Sequence, residues 1–273
     1  MMHRNDLTIW VYHLKRGGGH AIVNWIARNF DRQVFHLNNA FSKPLKVRWR
    51  GERIFRRITD PERFGGPGQR LYNVELPTGT NWRDVAAMPK EVLLTNVENF
   101  PLAKVPGEAL LGPGADRYIG SSRERRTVLV LRDPYNTFAS VWKSKRRMRN
   151  RLHRFYRSEW KAYAREFLGE TSFLPPDTIM VSFNQWFSDQ EYRRDLAGKL
   201  GLDAGDRGIQ EVSSDGGGSS FSGREHQGRA SEMKVLERWR VFEDDPRYAA
   251  AFDDETVELS RKIFGDITGG APR

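Results

Sequence analysis

Residues 7–26 read LTIWVYHLKRGGGHAIVNWI, and the fold of the chain turns on them. Leu7, Ile9, Trp10, Val11 and Tyr12 make an apolar, β-branched and aromatic run, the composition of a buried strand. Lys15, Arg16, Gly17, Gly18, Gly19 and His20 follow, and then Ala21, Ile22, Trp25 and Ile26 recur at helical spacing. Strand, glycine-rich turn and helix in that order leave the first helical N–H groups unpaired at one spot, where the helix dipole favours negative charge. Lys15 and Arg16 add two cations. The stretch reads as an anion cradle, for a phosphate or a sulfate. It is not the Walker loop, since the lysine precedes the glycines and His20-Ala21 follows them.

Outward from this stretch, strands alternate with helices. A second short strand is expected at 33–37, and buried strands at 91–97 (EVLLTNV), 126–131 (RTVLVL) and 178–183 (TIMVSF). Helices are expected at 20–30, from Pro134 onward to about residue 168 in one or two pieces, at 191–200 with Gly201 as C-cap, and at 232–242 and 253–264. Residues 203–231, rich in Gly, Ser and Asp, read as a mobile loop. This alternation predicts an α/β fold of three layers, with a central, mainly parallel sheet and ligands at the carboxyl ends of its strands. The chain is expected to form a single domain over 1–273, with a substrate-side insertion or lid at 40–90, basic and rich in Gly and Pro over its first thirty or so residues.

The 273 residues carry a net charge of +10, with 38% apolar residues including 16 Phe and 8 Trp, enough for a sizeable core. The positive balance fits a polyanionic partner: nucleic acid, a multiply charged nucleotide or an acidic glycan. There is no cysteine, which excludes disulfides, thiol nucleophiles and thiolate metal sites. The six histidines form no HExxH or His-x-His pair, and no metal is expected. No apolar run is long enough to span a bilayer and residues 1–10 lack the shape of a signal peptide, so a cytoplasmic protein is expected.

A second constellation lies in 129–144, LVLRDPYNTFASVWKS. Arg132 leaves the end of a buried strand, Asp133 and Pro134 open a helix, and Ser140 stands eight positions after the arginine. With the cradle, this segment resembles the cofactor site of sulfotransferases that use 3′-phosphoadenosine 5′-phosphosulfate (PAPS). The resemblance implies that Lys15, Arg16, Gly17, Gly18 and Gly19 hold the 5′-phosphosulfate, and that Arg132 and Ser140 hold the 3′-phosphate. It extends loosely to TIMVSFNQW at 178–186, which puts Phe183 beside the adenine with Asn184 and Gln185 in place of the usual acids. It also extends to 219–229, SSFSGREHQGR, where Phe221, Gly223 and Arg224 are the expected 3′-phosphate contacts.

The resemblance further implies sulfuryl transfer from PAPS to a hydroxyl or amine, with Lys15 stabilising charge on the departing oxygen. Glu98, at the end of the 91–97 strand, is the expected general base. His20 and His36 are its alternatives, and His20 is also placed to pack on the nucleotide. A small-molecule, glycan or glycolipid acceptor is expected, shaped by 40–120 and 143–170. Two other classes stand against this one. A nucleotide or small-molecule kinase of the P-loop fold calls for a lysine after the glycines. A nucleic-acid-binding protein would use the basic segment 143–157, KSKRRMRNRLHRFYR, and its aromatics.

Overall fold

A computed structural model describes residues 4–38, 69–72, 88–103, 116, 120–144, 149, 152–203, 205–213 and 218–269. Six strands, β1 (Asn5–His13), β2 (Val34–Asn38), β3 (Gln69–Tyr72), β4 (Lys90–Glu98), β5 (Ser122–Leu131) and β6 (Ile179–Ser182), form one sheet in the order β3-β2-β4-β1-β5-β6. All neighbours run parallel except β3, which pairs antiparallel with β2 at one edge. The fold is therefore α/β with a central parallel sheet flanked by helices. The longest strands lie in the middle, and both edge strands have four residues.

Strand periodicity of two splits the apolar residues between the faces. Ile9, Val11, Val92, Leu94, Val128 and Val130 pack on one side, against Ile22, Trp25 and Ile26 of α1 (Gly19–Arg28). Trp10, Tyr12, Leu93, Val97, Leu129 and Leu131 pack on the other, against Phe138 and Val141 of α2 (Pro134–Trp142) and Trp160 and Tyr163 of α3 (Arg157–Phe167). Each such side chain contributes about 1.5–3 kcal/mol when fully buried. Trp160 also ties packing to the site, because its indole N–H donates to the Arg132 carbonyl at 2.9 Å.

Several elements depart from the sequence expectation. Phe183 does not end β6. Ser182 caps a new helix, α4 (Phe183–Ser188), by accepting from the Gln185 N–H, and α5 (Gln190–Leu200) follows with Gly201 as its left-handed C-cap. The helix expected at 232–242 is instead two short 3-10 turns, Ala230–Glu232 and Arg238–Phe242. The cause is competition for backbone groups: Arg132 donates to the Val235 carbonyl, Asn136 donates to the Leu236 carbonyl, and the Arg238 N–H donates to Asn136. These long-range bonds replace the pairing that a helix would need. The described part of 203–231 is likewise anchored. Asp206 pairs with Arg193 at 2.7 Å and accepts from the Trp25 indole, and Asn29 donates to the Arg207 carbonyl. The last helix, α6 (Asp254–Phe264), begins within a residue of its expected start, capped by Asp253. Most of the expected insertion at 40–90 lies outside the described residues; within it, β3 supplies an edge strand that pairs antiparallel with β2.

Candidate active site

The carboxyl ends of β1, β4 and β5 open onto a cavity of about 510 Å³, whose wall includes Lys15, Arg16, Gly18, Gly19, His20, Glu98, Arg132, Phe183 and Arg238. The turn after β1 shapes one side. Arg16 is left-handed at φ 69°, unusual for a residue with a side chain, and Gly18 follows at φ 82°. A Cβ on Gly18 would stand 2.2 Å from the Phe183 ring, and one on Gly19 would stand 2.1 Å from the His13 ring. Gly17 is constrained by the Leu14 carbonyl, 3.0 Å from where a Cβ would sit. The glycines thus let the turn press against two rings, and α1 opens with neither a side-chain cap nor an acid in its first turn. The Lys15 N–H donates to Asn99 Oδ1 at 2.8 Å, and the Lys15 ammonium lies 3.6 Å from the Glu98 carboxylate, within the cavity wall.

Arg132 forms the opposite end and is 2% exposed. Its Nη1 donates to the Arg16 carbonyl at 3.3 Å and to Ser140 Oγ at 3.4 Å, and its Nη2 donates to the Val235 carbonyl. Its Nε is buried without a hydrogen-bond partner, as is Nε of Arg16. Arg238 converges on the same hydroxyl, donating to Ser140 Oγ at 3.1 Å and to Ser219 Oγ at 2.9 Å. Ser140 in turn donates to the Asn136 carbonyl at 2.9 Å. No carboxylate among the described residues pairs with Arg132 or Arg238. The neighbouring Asp133 is engaged by Asn136 (3.0 Å) and by Asn184 (2.9 Å). Burial lowers the Arg132 guanidinium to about 10, against the pull of Asp133. Burial, with Arg132 and Arg16 close by, lowers Arg238 to about 9. Two mutually repelling guanidiniums around one hydroxyl, one buried and one half-buried, make a site that gains from an anion.

Between these ends runs an aromatic wall from α4: Phe183, Trp186 and Phe187, with Phe183 and Phe187 stacked at 6.1 Å and 19°. Phe183 also lies under Arg132, 5.1 Å from the guanidinium carbon. Asn184 braces Asp133, and Gln185 serves the α4 cap through its backbone.

The segment 219–229 is placed differently from the sequence expectation. Arg224 is exposed and does not line the cavity; the cation that joins Arg132 at Ser140 is Arg238. Phe221 lies beneath Arg238 at 5.1 Å, and Gly223, left-handed at φ 52°, closes the turn through paired backbone bonds with Ser219. His20 and Glu98 both line the cavity, whereas His36 is buried and bonded to Asn96 at 2.8 Å.

The sequence reading missed Arg238, Trp186, Phe187, His13, Asn38 and Asn96. The signal for the last two was polar residues two apart at the ends of apolar strands: His36 and Asn38 on β2, Asn96 and Glu98 on β4. Among the described residues no helix is long and apolar enough to cross a membrane.

Neither protein-family models nor curated proteins match the chain. Solved structures do. A sulfotransferase domain from the olefin synthase of Synechococcus PCC 7002 superposes with a TM-score of 0.53 at 14% identity, covering 95% of each chain. A mouse sulfotransferase solved with PAP gives 0.47 at 10% identity, over 96% of this chain and 90% of that one. A sulfotransferase domain of the curacin biosynthetic pathway gives 0.46 at 11%, over 93% and 96%. At 14% identity the first of these shows a likeness of fold, and the chain has the α/β fold of that sulfotransferase domain.

Proposed function

We propose that the chain transfers a sulfuryl group from PAPS to a hydroxyl or amine of an organic acceptor. The observation that carries this is the pair of guanidiniums, buried Arg132 and half-buried Arg238, meeting at Ser140 with no carboxylate partner among the described residues. They stand on the same cavity as the Lys15–Glu98 pair. The residues fit the nucleotide: two buried guanidinium nitrogens lack partners, the α1 N-terminus is uncapped, and an aromatic wall runs between the two cationic ends.

In this proposal Arg132, Arg238 and Ser140 hold the 3′-phosphate, and the base packs on Phe183 and Phe187. Lys15, Arg16 and the N–H groups of Gly18 and Gly19 hold the 5′ end, while Gly17, whose own N–H donates to the Leu14 carbonyl at 3.0 Å, shapes the turn that aims them. Phe221 and Gly223 support Arg238 from behind. The bound nucleotide supplies the electrophilic sulfuryl group. Lys15 offsets negative charge on the oxygen that departs, a charge that grows in the transition state. Glu98 accepts the proton of the acceptor's nucleophile, and His20 stands as a second basic group on the same wall. The proposal takes residues 1–273 as one unit, with the acceptor side formed in part by 40–90, a small-molecule, glycan or glycolipid acceptor, no specific nucleic acid and a cytoplasmic setting.

The test is thermal stabilisation by 3′-phosphoadenosine 5′-phosphate (PAP) against AMP and ATP. PAP is expected to raise the melting temperature most, because only it brings a 3′-phosphate to Arg132, Arg238 and Ser140. Equal shifts with AMP refute the assignment, and a larger shift with ATP points to the kinase class.

A further inference from the structure

Three histidines and two asparagines meet at the ends of β1, β2 and β4, beside the cavity. His36 Nε2 lies 2.8 Å from Asn96 Oδ1. Asn96 Nδ2 lies 3.0 Å from His13 Nε2 and 2.9 Å from Asn38 Oδ1. His20 Nε2 lies 3.1 Å from the same Asn38 oxygen. His13 and His20 touch edge to face at 5.1 Å.

The direction of every bond in this chain follows from one backbone carbonyl. His13 Nδ1 lies 3.3 Å from the Leu14 oxygen, which only accepts, so Nδ1 carries the proton. His13 is buried, and burial holds it neutral down to about 4. Its Nε2 is therefore an acceptor, and Asn96 must turn its amide NH2 toward it. The second N–H of that amide then donates to Asn38 Oδ1, and Asn96 Oδ1 accepts from the His36 Nε2–H. Asn38 Oδ1 has only acceptor capacity left for His20, so His20 carries its proton on Nε2. The reversed pattern would need His13 protonated on both nitrogens inside the core.

We infer that Asn96 is a positioning residue that fixes three histidine tautomers, so that His20 stands at the cavity wall with its Nδ1 as a lone-pair acceptor. Among the described residues nothing else bonds to that nitrogen. In a chain that transfers a sulfuryl group, which is the reading proposed above, Nδ1 takes a hydrogen bond from an O–H or N–H of the acceptor molecule. The nucleophile's own proton goes to Glu98, so the favoured acceptor carries a second donor group, as a polyol, sugar or amino alcohol does. His13 packs against the His20 ring, Lys15 and Glu98 line the same cavity wall as His20, and His20, Glu98 and His36 are the charged or titratable groups that act on His13.

The test is a long-range 1H–15N spectrum of ¹⁵N-histidine protein at neutral pH without nucleotide, with the His20 signals identified by their loss in His20→Gln. The expected pattern is Nδ1–H for His13 and Nε2–H for His20 and His36. Asn96→Asp removes the amide donor and is expected to switch His13 to Nε2–H. Asn38→Ala, at a partly exposed strand end, is a milder variant and is expected to let His20 populate both tautomers. His20 in the Nδ1–H form, or a His13 tautomer indifferent to Asn96→Asp in folded protein, overturns the inference. Diethyl pyrocarbonate with mass spectrometry gives an independent reading. His20 should be acylated while His13 and His36 are protected, and an unreactive His20 counts against an exposed lone pair. Neither measurement involves PAP, so the tautomer pattern and the transfer reaction fail or stand separately.

Discussion

Replacing Arg238 with methionine separates what the site costs from what it binds. The guanidinium is brought down to about 9 by burial and by Arg132 and Arg16. Against an ordinary arginine above 12, at about 1.4 kcal/mol per pH unit, keeping it charged at this half-buried site costs about 5 kcal/mol. The sign is that of a base lowered on folding: the penalty is fully present below pH 9, and so at pH 7. Its bonds to Ser140 and Ser219 return about 1.5–3 kcal/mol each. The terms nearly cancel, so Arg238→Met should leave the stability of the free protein within about 2 kcal/mol of the original. Binding should not survive as well. Losing a phosphate's bonds to this residue costs about 3 kcal/mol or more, which weakens PAP about a hundredfold. At a thousandfold excess over the original Kd, PAP stabilises by about 4 kcal/mol; after a hundredfold loss about 1.4 kcal/mol remains. At about 2 °C per kcal/mol for a chain of this size, a melting shift of about 8 °C falls to about 3 °C. Differential scanning fluorimetry with PAP and AMP reads both quantities. A variant that keeps the full PAP-over-AMP difference, or that unfolds without ligand, refutes the reasoning.

Glu98→Gln keeps the PAP-induced melting shift and loses turnover by about 10²-fold or more, the usual range for a general base, read as PAP released per minute. Gly18→Ala puts a methyl into the Phe183 ring at φ 82°, and a lowered urea midpoint should report a loss of about 1–3 kcal/mol; an unchanged midpoint shows that the turn tolerates a side chain. His13 is held neutral down to about 4, so the unfolded chain binds a proton that the folded one refuses. Stability from this residue is complete above pH 6.5 and falls by about 3 kcal/mol between pH 6.5 and 4. His13→Gln should flatten that part of the stability-pH curve.

The core of the fold was legible because its signals are local. The two-residue periodicity of β1, β4 and β5 and the glycine turn sit within short windows. The Arg132–Ser140 contact spans eight positions, strand end to helix. Arg238 was not legible, because the 98 positions separating it from Ser140 carry no pattern and a basic chain offers many arginines. The 230–242 segment misled for a related reason: its composition suits a helix, while Arg132 and Asn136 take its backbone groups from far along the chain. The polar ends of β2 and β4 look in sequence like places where strands stop. In the fold they join three histidines into one hydrogen-bonded chain.

The distribution of strand lengths bears on how the protein behaves at high concentration. A nine-residue apolar strand such as β1 is a template for sticking to copies of itself when its backbone is open at a sheet border. Here β1, β4 and β5 are paired on both sides, and the borders of the sheet fall to β3 and β6, of four residues each. Among the described residues, a foreign strand arriving at either border meets a strand of four residues, so the long central strands are no longer open to it once the sheet closes. The hazard is confined to the time before closure, which makes refolding yield, more than storage, the quantity sensitive to protein concentration.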